Sequence, residues 1–403
     1  MNELDEGPQS QSPSTIARHG RLAHARGWPT VLKIVAAAVA VVLVASASVV
    51  AIVTAQVADE IETVSLAGQE SGEAPAIGAI EGGFNILIVG SDVCEDGSGC
   101  AGRGSAELND VTMLLHVSED QTNAVAVSIP RDMVVPIPSC PMADGSGDYS
   151  AMTAQPINVS LSYGGLPCTV LTVEALTGLD IQYAGLIKFS GVVAMSNAIG
   201  GVPVCVSGPI DDKYSGLVLP EAGTYTLSGE QALAFLRSRH GVGDGSDLTR
   251  ISSQQVFLSS LLRTIKSSDT LGDPVKVYNL ARAATSSMLL SDNFAQLDTL
   301  ASIALALKDI PLDRFSFVQY PSTTGGTGVY AGKVQPIEAE ASALFAKILA
   351  DEPFSLPAGG DGEGAQADPN AVPEATDGAT AAPLEELDLR GQTAADSTCS
   401  IAQ

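Results

Sequence analysis

Residues 84–89 read Phe-Asn-Ile-Leu-Ile-Val and stop at Gly90, a short apolar run with one polar interruption. Its length and its glycine stop predict a buried strand rather than a helix. Residues 111–117 and 124–129 predict two more strands, joined by the polar turn 118–122. Thereafter the period changes. Residues 169–176 carry helical spacing and end at Gly178, a natural helix stop. Residues 189–199 predict another helix, followed by Gly200-Gly201 and a strand at 202–206. Ser228-Gly229-Glu230-Gln231 has the form of a capping box opening a short helix through Leu236. Apolar residues at 251, 258, 261, 262 and 265 form one stripe of a helix across 251–265. Helices at 292–307 and 337–349 and a strand at 314–320 complete the pattern. Strands alternating with helices predict the α/β class: a single α-β-α domain over 84–350, its central mixed sheet covered by helices.

Residues 34–55 break this pattern. They are apolar or small throughout, with Ser46, Ser48 and Thr54 the only hydroxyls. As a helix the segment rises about 33 Å, enough to cross a bilayer core. Arg18, Arg21, Arg26 and Lys33 precede it, whereas Asp59, Glu60 and Glu62 follow. Positive flanks stay inside, so the N-terminus is expected in the cytoplasm and the main domain outside, on a single-pass anchor in the cell membrane. Trp28 falls where an interfacial aromatic belongs. The competing reading is a cleaved signal peptide, whose apolar region is normally only about 7–15 residues. The expected organisation is a disordered cytoplasmic tail (1–29), a transmembrane helix (30–55), a linker (56–83), the domain (84–350), and a disordered Ala/Pro/Gly-rich acidic tail (351–403).

Charge narrows the function. Lys plus Arg number 20 against 46 Asp plus Glu, a net −26 over 403 residues. Such a chain is a poor partner for nucleic acid, which demands a basic face. Cys94, Cys100, Cys140, Cys168, Cys205 and Cys399 lack the spacing of a zinc site, so they point to disulfides and an oxidising compartment. Cys94 and Cys100 share a Gly-rich loop and predict one bridge. The other four cysteines admit three pairings; Cys168–Cys205 with Cys140–Cys399 is the expectation carried forward. No Gly-x-Ser-x-Gly elbow, phosphate loop or dinucleotide fingerprint occurs.

Four stretches can carry chemistry. Asp92 follows a strand in Gly90-Ser91-Asp92, where ligands of α/β sheets bind. Asp110, in Asn109-Asp110, opens the next strand; two carboxylates at strand ends suit a hard cation such as Mg²⁺. Arg131 projects from the turn after Pro130. Arg237, Arg239 and Arg250 lie within fourteen residues, with Gln254 one turn beyond Arg250. An arginine fork suits phosphate oxygens. A solvated basic patch with Asp244 and Asp247 as acid partners is the alternative.

These stretches fit one family. Asn109-Asp110-Val111-Thr112-Met113-Leu114 and Val127-Ser128-Ile129-Pro130-Arg131-Asp132 resemble the opening motifs of the LytR–CpsA–Psr (LCP) glycopolymer transferases, in an actinobacterial-like form. So do Ile157-Asn158 with Tyr163-Gly164-Gly165, Ala198-Ile199-Gly200-Gly201-Val202, the run from Ser228 to His240, and Asp247-Leu248-Thr249-Arg250-Ile251 with Gln254-Gln255. The resemblance implies an enzyme, a phosphotransferase. It moves a glycopolymer from a polyprenyl-pyrophosphate carrier to a cell-wall acceptor, either peptidoglycan or a surface protein. It implies Mg²⁺ held by Asp92 and Asp110, phosphates held by Arg131, Arg237, Arg239, Arg250 and Gln254, and an apolar pocket for the lipid. Two positions depart from the family: Cys94 stands where an arginine is usual, with Arg103 a possible substitute, and Pro156 replaces a basic residue. Rival readings are a lipid-linked glycan-binding module without turnover, a pyrophosphate hydrolase and a membrane-bound transcription regulator.

Overall fold

The computed structural model describes residues 61–69, 80–91, 107–142, 145–267, 270, 273–357, 364–371 and 384–403. The expected cytoplasmic tail and membrane segment lie outside the described residues, as do Asp92, Cys94, Cys100 and Arg103.

Among the described residues, eight strands make the central sheet. They are β1 (Glu62–Val64), β2 (Phe84–Ser91), β3 (Asn109–Val117), β4 (Ala124–Ile129), β5 (Tyr183–Ile187), β6 (Met288–Ser291), β7 (Phe315–Gln319) and β8 (Gly391–Thr393). Their order across the sheet is β1-β6-β5-β2-β3-β4-β7-β8. β1–β6, β5–β2 and β4–β7 are parallel, and the remaining neighbours are antiparallel. The sheet is therefore mixed, as expected. Seven helices matter here: α1 (Val159–Thr177), α2 (Phe189–Ala198), α3 (Glu230–Arg237), α4 (Asp247–Lys266), α5 (Pro274–Ser286), α6 (Leu297–Asp309) and α7 (Glu338–Leu349).

Alternation along β2 and β3 sends side chains to two different cores. Leu87, Val89 and Leu114 join a cluster with α1 and α7, including Val170, Val173, Leu344 and Phe345. Phe84, Ile86 and Val117 join the opposite cluster, against α4 and α6 through Leu258, Leu262 and Ile303. Among the described residues, α1 is long and apolar enough to cross a membrane by composition. It is instead a core helix: Leu161, Leu166, Val170 and Val173 are buried, and Gly164 and Gly165 interrupt its helical geometry.

The expected pairing of four cysteines is overturned: the bridges are Cys140–Cys168 and Cys205–Cys399. Position accounts for both. A side chain at Gly164 would collide with the β-carbons of Cys168 and Cys140, so the bridge fits only beside a glycine. Cys205 and Cys399 are direct partners on parallel neighbouring strands, Val202–Val206 and Thr398–Ser400.

The expected disordered tail is also a correction. Gly391–Thr393 is the last strand of the central sheet, and Ala365–Ala367 and Thr398–Ser400 extend a second, four-stranded sheet. Phe354, Leu356, Ala394 and Cys399 bury enough apolar surface to dock a chain whose average composition argues against it. The domain accordingly extends beyond both expected limits, since Glu62–Val64 pairs with β6.

The capping box is not formed. Gly229 is the N-cap residue at φ +55°, no side chain caps the helix, and the Gly229 N–H donates instead to the Ser196 hydroxyl at 2.9 Å.

Candidate functional site

The site is built where β3 begins and β4 ends. Asp110 is the second residue of β3. β4 closes at Ile129, and Pro130 turns the chain so that Arg131 faces Asp110. The turn is held from outside the sheet: the Asn158 N–H donates to the Arg131 carbonyl at 3.2 Å. Arg131 Nη1 donates to Asp110 Oδ1. Burial alone would lower the Arg131 pKa, but the carboxylates of Asp110, Asp132 and Asp247 outweigh it and raise the value. This guanidinium stays charged.

The second half comes from α3 and α4. Arg237 ends α3, with its guanidinium carbon 4.6 Å above the Phe189 ring. Ser238 is extended, at ψ 131°, which carries the chain on to Arg239. Ser246 caps α4 by accepting the Thr249 N–H at 3.3 Å, placing Asp247 in the first turn where a negative charge is favoured. Asp247 is the hub. Its Oδ1 lies 3.0 Å from Arg239 Nη2, 2.5 Å from Arg250 Nη2 and 4.0 Å from Arg131 Nε. Arg250 also donates to the Asp110 carbonyl at 3.1 Å. The side chains of Arg250 and Asp247 are only 5% and 6% exposed, so the surface-patch alternative does not describe them.

Asp110, Arg131, Arg237, Arg239 and Arg250 all line one cavity of about 220 Å³. Four guanidiniums thus share a pocket with few carboxylates, in a chain of net charge −26. Burial lowers the pKa of Arg239, and the neighbouring Arg250 and Arg131 charges lower it further. An anion entering the pocket relieves that mutual repulsion. Asp247 Oδ2, Arg131 Nε and Arg250 Nε are buried without a hydrogen-bond partner among the described residues. Such orphaned groups are costly in a core but suit a site that awaits a ligand.

Gln254 stands beside the end of α3. Its amide donates to the Leu236 carbonyl at 2.9 Å, so it secures the end of α3 and positions Arg237 rather than lining the cavity. Asp244 accepts from Ser246 and Thr249 and shapes the loop before α4. Asp212 and Tyr214, which no motif signalled, line the same cavity. Burial would raise the Asp212 pKa, but hydrogen bonds from the Ser238 hydroxyl and backbone N–H groups outweigh it and pull the value down. Asp368 lies close to Cys205 and Cys399, but the bridge between those sulfurs removes them as metal ligands.

The LytR_cpsA_psr family model matches residues 48–345, a span that contains every element of this cavity. The chain belongs to the LytR–CpsA–Psr family. It is similar to the cell wall biosynthesis protein LcpA of Corynebacterium glutamicum, at 29% identity over 72% of this chain and 60% of that protein. It also resembles the polyisoprenyl-teichoic acid–peptidoglycan teichoic acid transferase TagT of Bacillus subtilis, at 31% identity over 46% of this chain and 53% of TagT. The chain therefore spans little more than half the length of these curated relatives. Among solved structures, the LCP enzyme of Actinomyces oris aligns with TM-score 0.54 and 22% identity, covering 72% of this chain and 95% of that one. Bacillus subtilis TagV aligns with TM-score 0.52 and 20% identity, over 67% and 97%. These likenesses establish the LCP fold.

Proposed function

We propose that the chain transfers a glycopolymer from a polyprenyl-pyrophosphate carrier to a cell-wall acceptor, peptidoglycan or a surface protein. The observation that carries this reading is the arginine-walled cavity of about 220 Å³. Guanidinium forks match pyrophosphate oxygens.

The reaction is a phosphoryl transfer. An acceptor hydroxyl attacks the phosphorus that bears the glycan. The bond from that phosphorus to the bridging oxygen breaks, and polyprenyl phosphate leaves. The hydroxyl proton passes to one carboxylate, Asp110 or Asp92. Arg131, Arg239 and Arg250 offset the charge that grows on the bridging and equatorial oxygens. Their positions are set before the donor arrives, through Asp247 and the Asp110 carbonyl.

The donor set suits Mg²⁺, which takes one or two carboxylates plus substrate phosphates rather than a full protein cage. Asp110 meets Arg131 through Oδ1, and Asn109 Oδ1 beside it is buried without a partner among the described residues. Asp110 would hold the ion together with Asp92, which lies one residue beyond Ser91, the strand partner of Asn109. When bound, Mg²⁺ supplies further neutralisation of the pyrophosphate.

An apolar approach supports the lipid half of the donor. Ile88 and Met113 are strand partners, and both are half-buried on the sheet face that also carries Leu115 and Met288 and packs against Leu258 and Leu262 of α4. Two residues further along these strands stand Gly90 and Val111, then Ser91 and Asn109 at the site. With residues 34–55 as an anchor, the domain works outside the cytoplasmic membrane, close to a carrier that also resides in the bilayer.

Arg239→Ala tests the reading in an assay that follows a lipid-linked glycan onto peptidoglycan. The expected loss is on the order of 10²-fold or more, about 3 kcal/mol of barrier. Undiminished transfer contradicts the assignment.

A further inference from the structure

The arginine cavity has a second kind of wall, made by Tyr214, Ser215 and His240. Tyr214 lies in the turn between strands Ile210–Asp212 and Leu217–Leu219, and is 82% exposed. A single exposed aromatic is ordinary when nothing fixes it. This one is fixed. Asp212, 1% exposed, accepts the Tyr214 and Ser215 N–H groups through Oδ1 at 2.9 and 3.3 Å. Its Oδ2 accepts the Ser238 hydroxyl at 2.8 Å, the Arg239 N–H at 3.0 Å and the His240 N–H at 3.1 Å. One buried carboxylate thus ties the hairpin turn to the Arg-Ser-Arg-His segment. The Tyr214 and His240 rings rest together, with centroids 4.5 Å apart. On the other side of His240 lies a groove of about 400 Å³, bordered by Pro209, Val218 and Pro220.

We propose that Tyr214, backed by His240, is a stacking platform for the first pyranose ring of the donor, the sugar esterified to the phosphate that the arginines hold. The proposal rests on the phosphotransferase reading and adds the class of group recognised beside the phosphates. A pyranose presents a face of C–H groups, apolar and slightly positive, which matches the negative face of an aromatic ring. In a glycosyl pyrophosphate that ring is one bridging oxygen from phosphorus, so the group lying next to a bound phosphate is the sugar. The platform shares its cavity with Arg239, and Asp212 holds both in one frame, so phosphate and sugar contacts are aligned together. The groove beyond His240 gives the following sugars a path out of the site.

The test uses the chain in lipid nanodiscs and two probes, a polyprenyl pyrophosphate without sugar and the same lipid carrying a disaccharide. In the unaltered protein the glycosylated lipid binds more tightly. Tyr214→Ala weakens its binding about tenfold and leaves the sugar-free lipid within about twofold. Tyr214→Phe, which keeps the ring and drops the hydroxyl, restores the difference. Equal loss for both lipids, or none for either, overturns the platform while leaving the pyrophosphate site intact. Failure of both lipids to bind the unaltered protein removes the phosphotransferase reading and the platform with it.

Discussion

The two faces of the central sheet are packed differently. On the face covered by α1 and α7, 27 apolar residues among those described are buried and only six flanking ones are half-buried. On the face toward α4 and α6, 12 of the described residues are buried and 14 are half-buried. The same strands supply both, with Leu114 on one face and Met113 and Leu115 on the other. A face closed to water contributes stability, whereas one that keeps apolar side chains partly open forgoes some of it. The proposed function gives the two faces different work: the closed one holds the fold, and the open one is assigned to the lipid of the donor.

The largest effect that would break this contrast is on the closed face. Leu114→Ala, at a site with no exposure, is expected to cost about 2–5 kcal/mol in chemical unfolding. Leu115→Ala, one residue along and half-buried, should cost about 1–2 kcal/mol and instead weaken use of long-chain donors relative to short-chain ones. Equal costs would erase the distinction between the faces.

Next comes the C-terminal segment, which closes the edge of the sheet. Cys205–Cys399 spans a separation of 194 residues. Replacing both cysteines with serine should destabilise the domain by up to about 5 kcal/mol on the chain-entropy account. An unchanged unfolding midpoint would mean that the other contacts of this segment suffice. Arg263→Ala probes the same docking more gently. It removes hydrogen bonds of 2.7 and 3.0 Å to the Ala394 and Asp396 carbonyls, at an expected cost of about 1–3 kcal/mol.

The smallest effect is on the closed face, at the far end of β3. His116 contacts Asn85 and Asp351, and burial lowers its pKa below the ordinary 6.5 although Asp351 opposes this. The neutral form is therefore favoured in the folded state. Its contribution is complete above pH 6.5 and is lost as the pH falls through the lowered value. His116→Gln should flatten that part of the stability profile between pH 7.5 and 5.5, by less than about 1 kcal/mol. An unchanged slope would assign the acid sensitivity elsewhere.

Much of this was legible in the chain. The runs at 84–89, 111–117 and 124–129 are strands because continuous apolar stretches of that length have no other way to be buried on both faces. Arg131, Arg237, Arg239 and Arg250 converge as their motifs indicated, and Asp110 stands with them. What escaped has physical causes. Glu62–Val64 and Met288–Ser291 are too short to show a period. The C-terminal strands draw stability from a few anchors and a bridge, while their composition is dominated by residues that bury nothing. Spacing shows that Gln254 shares a helix face with Arg250, but not that Leu236 presents a carbonyl there. Asp247 looked like the acid partner of a solvated patch, since nothing in its neighbours announces a buried hub for three arginines. Asp212 acts through backbone N–H groups, which leave no trace in residue type.

The decisive observation is the position of a polyprenyl pyrophosphate bound to the chain with Mg²⁺, seen directly in an experimental structure. The account predicts both phosphorus atoms within contact of Arg131, Arg239 and Arg250, and the isoprenoid running along Ile88, Met113 and Leu115. A diphosphate bound away from these guanidiniums, or a lipid lying against the α1 and α7 face, would contradict it.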